Sequence, residues 1–395
     1  MRRVRAFVAA AAIVSCGLFA RAAGDPTEVG SFTLFKFEQA IGVERYRIEP
    51  DGDRFALTSD FSFTDRGTHV ALKTSMRFEA PLTPTHFTIK GDTARLSTID
   101  EDIGAVPVGR FTLAGYAPVS MQMELLRYWR LHGRPASVRL TPRGAAHIDA
   151  RGRDTIRSGG RTLTLDRFSV SGVLWGRETL WADDTGTLEA LVSVDAEFDH
   201  FEAVRPGLED AVPQLVARAA SDGMAEMAET ASTIGPPAAH ALAITGGTLI
   251  DVTGRTPPLP DSTIVVVDGV IAAVGPSGRV TIPPNATVVD AAGKTIIPGL
   301  WDMHAHFEQV EWGPIYLAAG VTTVRDCGNE FEFIKATRDA IADGRGLGPR
   351  LLLAGRAEPS TRSPGVDLGR SFAIWHRSPW RMRWRYLSRA IACLG

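Results

Sequence analysis

The sequence has few cysteines, few lysines and almost no net charge. Its 395 residues include three cysteines, too few for a disulfide framework. The formal net charge of −2 gives no indication of binding to nucleic acid or to an anionic surface. Only five of the 43 basic residues are lysine, a bias that we attribute to GC-rich coding. With 44% hydrophobic and 22% charged residues, the composition is that of a globular protein long enough for two or three domains.

A long apolar run is also lacking, and the run near the amino terminus is short for a transmembrane helix. Residues 6–20 are mostly apolar and follow three arginines within the first five residues. The Ala-Arg-Ala sequence at 20–22 is typical of a signal-peptide cleavage site. Residues 1–22 are therefore predicted to be a signal peptide, and the protein is expected to be periplasmic or secreted.

A second interpretation of this stretch stays open. Residues 13–16, Ile-Val-Ser-Cys, resemble a lipobox, which would leave Cys16 lipidated on a membrane. Contact with a membrane is expected only in that case.

Residues 25–200 are predicted to be a β-rich accessory domain. Short stretches of alternating apolar and polar residues, such as 31–37 and 69–78, are separated by turn sequences such as that at 65–67. One segment, 119–132, instead has apolar residues at helical spacing. We expect an antiparallel, curved sheet or partial barrel with this helix against it.

The stretch 195–202 alternates acidic with apolar residues. A divalent cation could lie there, although a half-exposed strand end is the favoured interpretation. His200, inside this stretch, is interpreted as a surface or core histidine, because the histidines of this region lack ligand spacing. The sequence thus singles out no residue of the β-rich region for chemistry.

Two further segments follow the β-rich region. Residues 201–237 have apolar residues at helical spacing and end in Gly-Pro-Pro, which predicts a helical connector. Residues 241–298 return to short strands, with a Gly-Gly pair and an Asp-Gly hairpin turn between them.

The most informative segment is 297–306, IPGLWDMHAH, which places His304 and His306 directly after a short apolar run. Side chains two residues apart on an extended strand point to the same face. The two imidazoles can therefore reach into one pocket and offer two nitrogens to one metal ion. The alternative is that both histidines are hydrogen-bonded core residues.

This segment and the preceding sequence VVDAAGKTIIPG at 288–299 resemble the opening of an amidohydrolase superfamily protein. The resemblance covers residues 241 to about 355, under a third of the chain. It implies that 241–298 form a small β-sandwich and that 299–355 form about the first three units of a TIM (β/α)₈ barrel. Together with the β-rich domain, this predicts a multi-domain α+β protein.

The resemblance also implies a chemistry. His304 and His306 would bind a divalent metal, usually zinc, that activates water. Asp302 is interpreted as pointing away from the metal and supporting the strand end, and Asp326 as lining the mouth of the site or as a loop acid. The expected activity is hydrolysis of carbon–nitrogen bonds other than ordinary peptide bonds, in small-molecule amides or cyclic amides. Imidazolonepropionase-like and prolidase-like members look most similar, so a dipeptide substrate stays open.

The family's other ligands and its proton-shuttling aspartate cannot be placed in this sequence, so the catalytic residues stay unknown. A whole barrel needs roughly 250 residues, and the strand–helix pattern stops near residue 355. Residues 356–395 contain eight arginines and no lysine. We interpret them as an aberrant, disordered tail from an out-of-frame gene end, with a basic membrane- or RNA-binding tail as the alternative.

The chain as given is therefore expected to be a truncated and inactive member of its family. A different class of function is the alternative: a non-enzymatic periplasmic binding or scaffold protein that acts through residues 25–200.

Overall fold

The computed structural model describes residues 27–354 with five short gaps. The gaps are 53, 81, 93–97, 196–197 and 234–239, and the side chains of 98, 99 and 103 are also not described. The predicted signal peptide, Cys16 and the tail at 356–395 lie outside the described residues, and these interpretations stay predictions.

The described residues form mostly β-strands, arranged in three sheets, with few helices. The helices are α1 (Val119–Leu131), α2 (Val212–Ser232), α3 (Trp312–Ala318) and α4 (Phe331–Ala342), and a 3-10 turn spans Glu209–Ala211. The strands of the largest sheet are β1 (Glu28–Lys36), β2 (Gln39–Asp51), β3 (Arg54–Asp65), β4 (Thr68–Glu79), β5 (Thr83–Asp92), β6 (Thr98–Ala105), β7 (Arg110–Thr112), β8 (Val138–Thr141), β9 (Ala145–Ser158), β10 (Arg161–Ser171), β11 (Arg177–Ala182), β12 (Leu188–Val194) and β13 (His200–Val204).

The large sheet is built from antiparallel neighbours, except for the parallel pair β7 and β8. Its strand order is β6-β5-β4-β3-β2-β1-β13-β12-β11-β10-β9-β8-β7, so the first and last strands of the region lie side by side. The β-rich region expected from the sequence is confirmed. Its last strand, β13, lies beyond residue 200 and inside the stretch expected to be a helical connector.

Helix α1 fills the inner face of this sheet. Ten of its 13 residues are buried, and the seven apolar ones share one core with Phe61 from one half of the sheet and Phe168 from the other. The sheet therefore curves around α1, as the alternating sequence with one helical segment predicts. The N-terminus of α1 lies against the buried carboxylate of Glu44, which accepts hydrogen bonds from the Val119 and Ser120 N–H groups at 2.6 and 3.1 Å.

The outer face of the same sheet forms a second core. Successive residues of a strand face opposite sides, so Leu34 belongs to the inner core and Phe35 to the outer one. The outer core also contains Leu215 and Val216 from α2 and Ile334 from α4. Helix α2 thus joins the large sheet to the carboxy-terminal elements. Among the described residues, no helix is both long and apolar enough to span a bilayer.

Residues 241–296 form one mixed sheet of five strands: β14 (Ala241–Leu249), β15 (Leu259–Val267), β16 (Val270–Pro276), β17 (Thr287–Asp290) and β18 (Thr295–Ile296). The order is β16-β15-β14-β17, and β18 also pairs with β14. The expected small sandwich is thus a single sheet. The physical reason is that β17 and β18 both add in parallel to β14 and do not build a second layer.

A βαβαβ unit completes the described chain. Strands β19 (Leu300–Ala305), β20 (Val321–Asp326) and β21 (Arg350–Leu353) form a parallel sheet, and α3 and α4 connect them. These five elements lie within residues 299–355, where the resemblance places the first strand–helix units. Parallel strands require such crossover helices, which is why the alternation was readable in the sequence.

Candidate metal centre

The predicted histidine pair lies at the carboxyl end of β19. His304 is the penultimate residue of the strand, and His306 directly follows the strand's last residue, Ala305. Both side chains are exposed, their ring centroids are 5.7 Å apart, and the ring planes are inclined by 51°. The structure therefore brings the two imidazoles together on one side of the strand end, facing open space.

The separation of the rings suits a shared metal ion. A zinc–nitrogen bond is about 2.0–2.1 Å long, so two imidazoles on one tetrahedral ion have ring centroids on the order of 5–6 Å apart. The observed 5.7 Å falls within this range. Two neutral imidazoles are also donors that a borderline cation such as zinc accepts. The donor set therefore fits a metal, while leaving further coordination positions to other groups.

Asp326, at the end of β20, holds the backbone around the histidine pair. It is 1% exposed, and its Oδ2 accepts hydrogen bonds from the Phe307 N–H at 2.8 Å and from Asn329 Nδ2 at 3.3 Å. Its Oδ1 accepts from the Gly328 N–H at 3.2 Å. The carboxylate thus ties the end of β19 to the end of β20, and its oxygens face backbone and amide donors.

Two neighbours shape the space around the imidazoles. A Cβ at Gly328 would lie 2.9 Å from Cε1 of His306, so the ring occupies space that only a glycine leaves open. Asp302 Oδ1 accepts the His304 N–H at 3.1 Å and thus supports the strand end. Asp302 and His304 are two residues apart, so the regular alternation of a strand would place both side chains on one face. The expectation that Asp302 points away from the metal therefore does not follow from the strand geometry.

The loop after the histidine pair is anchored to the large sheet. His200 Nε2 donates to the Glu308 carbonyl at 2.6 Å, and Gln309 Nε2 donates to the Trp175 carbonyl at 3.2 Å. A third link is the ion pair between Arg177 Nε and Glu311 Oε1, at 2.6 Å. Residues from β11, β13 and the loop before β11 therefore position the segment that follows His306.

Glu308 brings a second ionisable group near the pair. Its Oε1 lies 4.0 Å from His306 Nδ1. Burial, followed by the negative charge of Asp199, raises the pKa of Glu308 to about 7. The carboxyl group therefore changes its charge near neutral pH.

The described residues place two ligands at this centre. Within the described part of the chain, His304 and His306 do not belong to a group of three histidine, cysteine or acidic side chains whose ligand atoms all lie within 4.8 Å of one another. The structure does assemble one three-residue group elsewhere, from His200, Glu202 and Glu330. The acidic alternation at 195–202 was the only sequence signal for it, and Glu330 lies 130 residues from His200.

Sequence comparison relates the chain to enzymes of known activity. An enamidase from Eubacterium barkeri is 38% identical over 84 residues, which are 19% of this chain and 22% of the enamidase. An adenine deaminase from Rubrobacter xylanophilus is 37% identical over 112 residues, 28% of this chain and 18% of the deaminase. An imidazolonepropionase from Haloarcula marismortui is 46% identical over 50 residues, 12% of either chain.

A solved enamidase structure, described as a member of the amidohydrolase superfamily, is 29% identical and covers 28% of this chain and 34% of its own. Its TM-score of 0.22 carries no argument about the fold. No family model matches the sequence. These sequence relationships support the resemblance of the matched part of the chain to the amidohydrolase superfamily. The chain spans about a fifth or less of the length of these curated relatives.

Proposed function

We propose that this protein is of the class of metal-dependent hydrolases that cleave carbon–nitrogen bonds other than ordinary peptide bonds. The observation that carries the proposal is the pair His304 and His306, with ring centroids 5.7 Å apart at the carboxyl end of the first strand of a βαβαβ unit. The relationship to an enamidase and to adenine deaminases supports the same class of reaction.

The residues of the centre have separate roles in this proposal. The imidazoles of His304 and His306 hold a divalent cation, with zinc as the expected ion. When bound, such a cation lowers the pKa of water and polarises a scissile carbonyl. Asp326 fixes the ends of β19 and β20 through backbone hydrogen bonds, and Gly328 leaves room for the His306 ring. The remaining ligands and the proton shuttle are not assigned to residues of this chain.

We also propose that the βαβαβ unit is the opening part of a (β/α)₈ barrel. Active sites of such barrels lie at the carboxyl ends of the strands, which is where the histidine pair lies. Strand β19 is an edge of the described sheet, and large apolar side chains on it, Leu300, Trp301 and Met303, are 47%, 60% and 43% exposed. In a full barrel, further strands and helices would cover such surface.

The substrate is proposed to be a small-molecule amide or cyclic amide, or a dipeptide, and the protein to be periplasmic or secreted. The alternative, a binding or scaffold role for residues 25–200, receives no support from the inner face of the large sheet. Helix α1 occupies that face and packs into its core.

Metal binding by matched variants tests the proposal. The purified full chain is stripped with a chelator, dialysed against buffered Zn²⁺ and analysed for bound metal. His304→Ala and His306→Ala are each expected to bind about one zinc equivalent less than the wild type. His69→Ala, which removes an exposed strand histidine, is the control and is expected to bind as much as the wild type. Equal zinc content in all four proteins would remove the ligand assignment.

A further inference from the structure

Three buried side chains that are able to ligate a metal meet between the large sheet and α4. His200 and Glu202 are two residues apart on β13 and so share its outer face, and Glu330 is the N-cap residue of α4. Their exposed fractions are 2%, 0% and 4%. One ligand atom from each lies within 4.8 Å of the other two. One imidazole and two carboxylates therefore converge on one point inside the protein.

The carboxylates of this group have few partners from the protein, and Oε2 of Glu330 contacts Nδ1 of His200 at 2.6 Å. Both side-chain oxygens of Glu202 and Oε1 of Glu330 are buried without a hydrogen bond of good geometry, although Glu202 lies close to the carboxyl group of Glu330 and to the backbone N–H of Glu38. Burying a carboxylate without a partner costs on the order of several kcal/mol. A fully buried acid that is directed at a histidine and a second acid therefore indicates a ligand that supplies the missing interaction.

The lysine described nearby does not supply positive charge to this group. Lys36, on the adjacent strand β1, is already paired with three aspartates at 2.7–2.9 Å. Aromatic rings line the imidazole of His200: Phe37 stacks on it at 6.3 Å, and Phe333 contacts it edge-on at 4.2 Å between centroids. Glu38 adds a buried carboxylate oxygen without a partner. The environment is thus apolar, negative and closed to solvent.

His200 is held in the orientation of a metal ligand. Its Nε2 lies 2.6 Å from the Glu308 carbonyl, which can only accept, so Nε2 carries a proton. Its Nδ1 forms a hydrogen bond of 2.6 Å with Oε2 of Glu330, and a bound cation would replace the proton of this hydrogen bond. Histidines that bind metals commonly donate their second ring N–H to a carbonyl or carboxylate, which fixes the tautomer and exposes the other nitrogen. His200 shows this arrangement with Nδ1 turned toward the two acids.

We propose that His200, Glu202 and Glu330 bind one divalent cation of the zinc or manganese class. Two ionised carboxylates and a neutral imidazole carry a charge of −2, which one divalent ion neutralises. Mixed nitrogen and oxygen donors suit these borderline cations. Metal–ligand bonds of about 2.0–2.2 Å would require Nδ1 of His200 and Oε2 of Glu330 to move apart to about 3 Å.

The position of the site assigns it a structural role. Its ligands come from β13 of the large sheet and from the start of α4, so the ion would link these two parts of the molecule. His200 also holds the carbonyl of Glu308, two residues after His306. The ion would therefore stabilise the loop that follows the histidine pair, without sharing a ligand with that pair.

The test uses a background in which the other proposed metal site is removed. The full chain with both His304→Ala and His306→Ala is stripped of metal and titrated with Zn²⁺ and with Mn²⁺, with bound metal measured after gel filtration. About one equivalent of either ion is expected to bind, and the melting temperature is expected to rise with the ion concentration. Binding of neither ion by this folded background protein would overturn the proposal.

Glu202→Gln and Glu178→Gln, each added to this background, form a matched pair. Both change a fully buried glutamate to its isostere, but Glu178 lies on the inner face of the large sheet beside Gln122 and Ser193. Glu202→Gln is expected to lose the bound ion and its effect on the melting temperature, and Glu178→Gln to keep both. Retention of the ion by Glu202→Gln would overturn the assignment.

A spectroscopic measurement decides the matter if Glu202→Gln does not fold. Zinc bound to the background protein is examined by X-ray absorption. A first shell with one imidazole nitrogen and carboxylate oxygens would support the site. A shell without imidazole would contradict it.

Discussion

Several buried acids in this protein depend on their immediate surroundings for their ionisation state, and Glu178 is the clearest. It is 1% exposed, and burial raises its pKa to about 8, although hydrogen bonds from Ser193 and Gln122 oppose the shift. The acid is therefore mainly protonated in the folded protein at neutral pH. An unfolded glutamate titrates near its ordinary value of about 4.3.

The raised pKa of Glu178 predicts a pH-dependent stability. Because the folded state binds this proton more tightly, the stabilisation is complete below about pH 4.3 and is lost as the pH rises toward about 8. Glu178→Gln removes this ionisation. The variant is expected to lose less free energy of unfolding than the wild type between pH 5 and pH 8, measured by urea denaturation.

The control for this prediction is Glu101→Gln on the exposed face of β6, which is expected to follow the wild-type pH profile. Other acids, such as the half-buried Glu38, whose pKa is raised to about 7 by burial and by Glu330, change the stability of the wild type in the same direction. Only the difference between variants is therefore informative. Parallel profiles for Glu178→Gln and the wild type would contradict the account.

The residue scale also shows what the sequence can and cannot reveal about the site. The proximity of His304 and His306 was predictable, because their spacing matches a strand and both belong to one short motif. The group of His200, Glu202 and Glu330 was not, because its third member is 130 residues from the first. The three meet only through the packing of α4 on the outer face of the sheet, which no local pattern encodes.

At the scale of elements, the amino end of α1 is stabilised by a strand and not by its own sequence. The N-cap residue, Pro118, makes no side-chain cap hydrogen bond. Glu44, from β2, accepts the N–H groups of Val119 and Ser120 instead, and the hydroxyl of Ser59 at 2.8 Å. A carboxylate at this position also complements the positive end of the helix dipole.

Glu44→Ala is therefore expected to destabilise the protein substantially. It leaves buried N–H groups without an acceptor, and each such loss costs about 1–3 kcal/mol. A total of about 2–5 kcal/mol is expected in the free energy of unfolding, measured by denaturant titration. Glu79→Ala, which removes an exposed partner of Arg54, is the control and is expected to cost less than about 1 kcal/mol. Similar losses for the two variants would contradict the assigned role of Glu44.

The elements differ in how well the sequence predicted them. The βαβαβ unit lies within residues 299–355, where the family resemblance implied alternating strands and helices. The five-stranded sheet differs from the expected sandwich, because β17 and β18 both pair with β14. Such pairing depends on the tertiary structure and is not encoded in the local sequence pattern. Strand β13 was missed as part of the large sheet, although both of its neighbours, β1 and β12, hold it there.

At the scale of the whole molecule, the described chain contains two large cores and one small one. The outer core joins the large sheet, α2 and the βαβαβ unit. The five-stranded sheet buries a core centred on Leu242, Ile264 and Val266, while Val270 and Ile271 of the same sheet are 68% and 61% exposed. Because local stability increases with the number of buried apolar contacts, the five-stranded sheet is expected to be less stable than the parts of the chain that form the two large cores.

Hydrogen exchange followed by mass spectrometry checks this difference. Peptides from β14–β16 are expected to exchange faster than peptides from β12 and β13, which lie between the two large cores. The βαβαβ unit is expected to exchange together with α2, because they share one core. Equal or greater protection of β14–β16 would show that the small core is more stable than its size indicates.

The central claim is that His304 and His306 together bind one metal ion. The most direct measurement is an anomalous difference map from zinc-soaked crystals of the full chain, collected above and below the zinc absorption edge. The account predicts a zinc peak between the two rings, about 2.0–2.1 Å from one nitrogen of each. Zinc peaks elsewhere in the protein, with nothing between these rings, would contradict the claim.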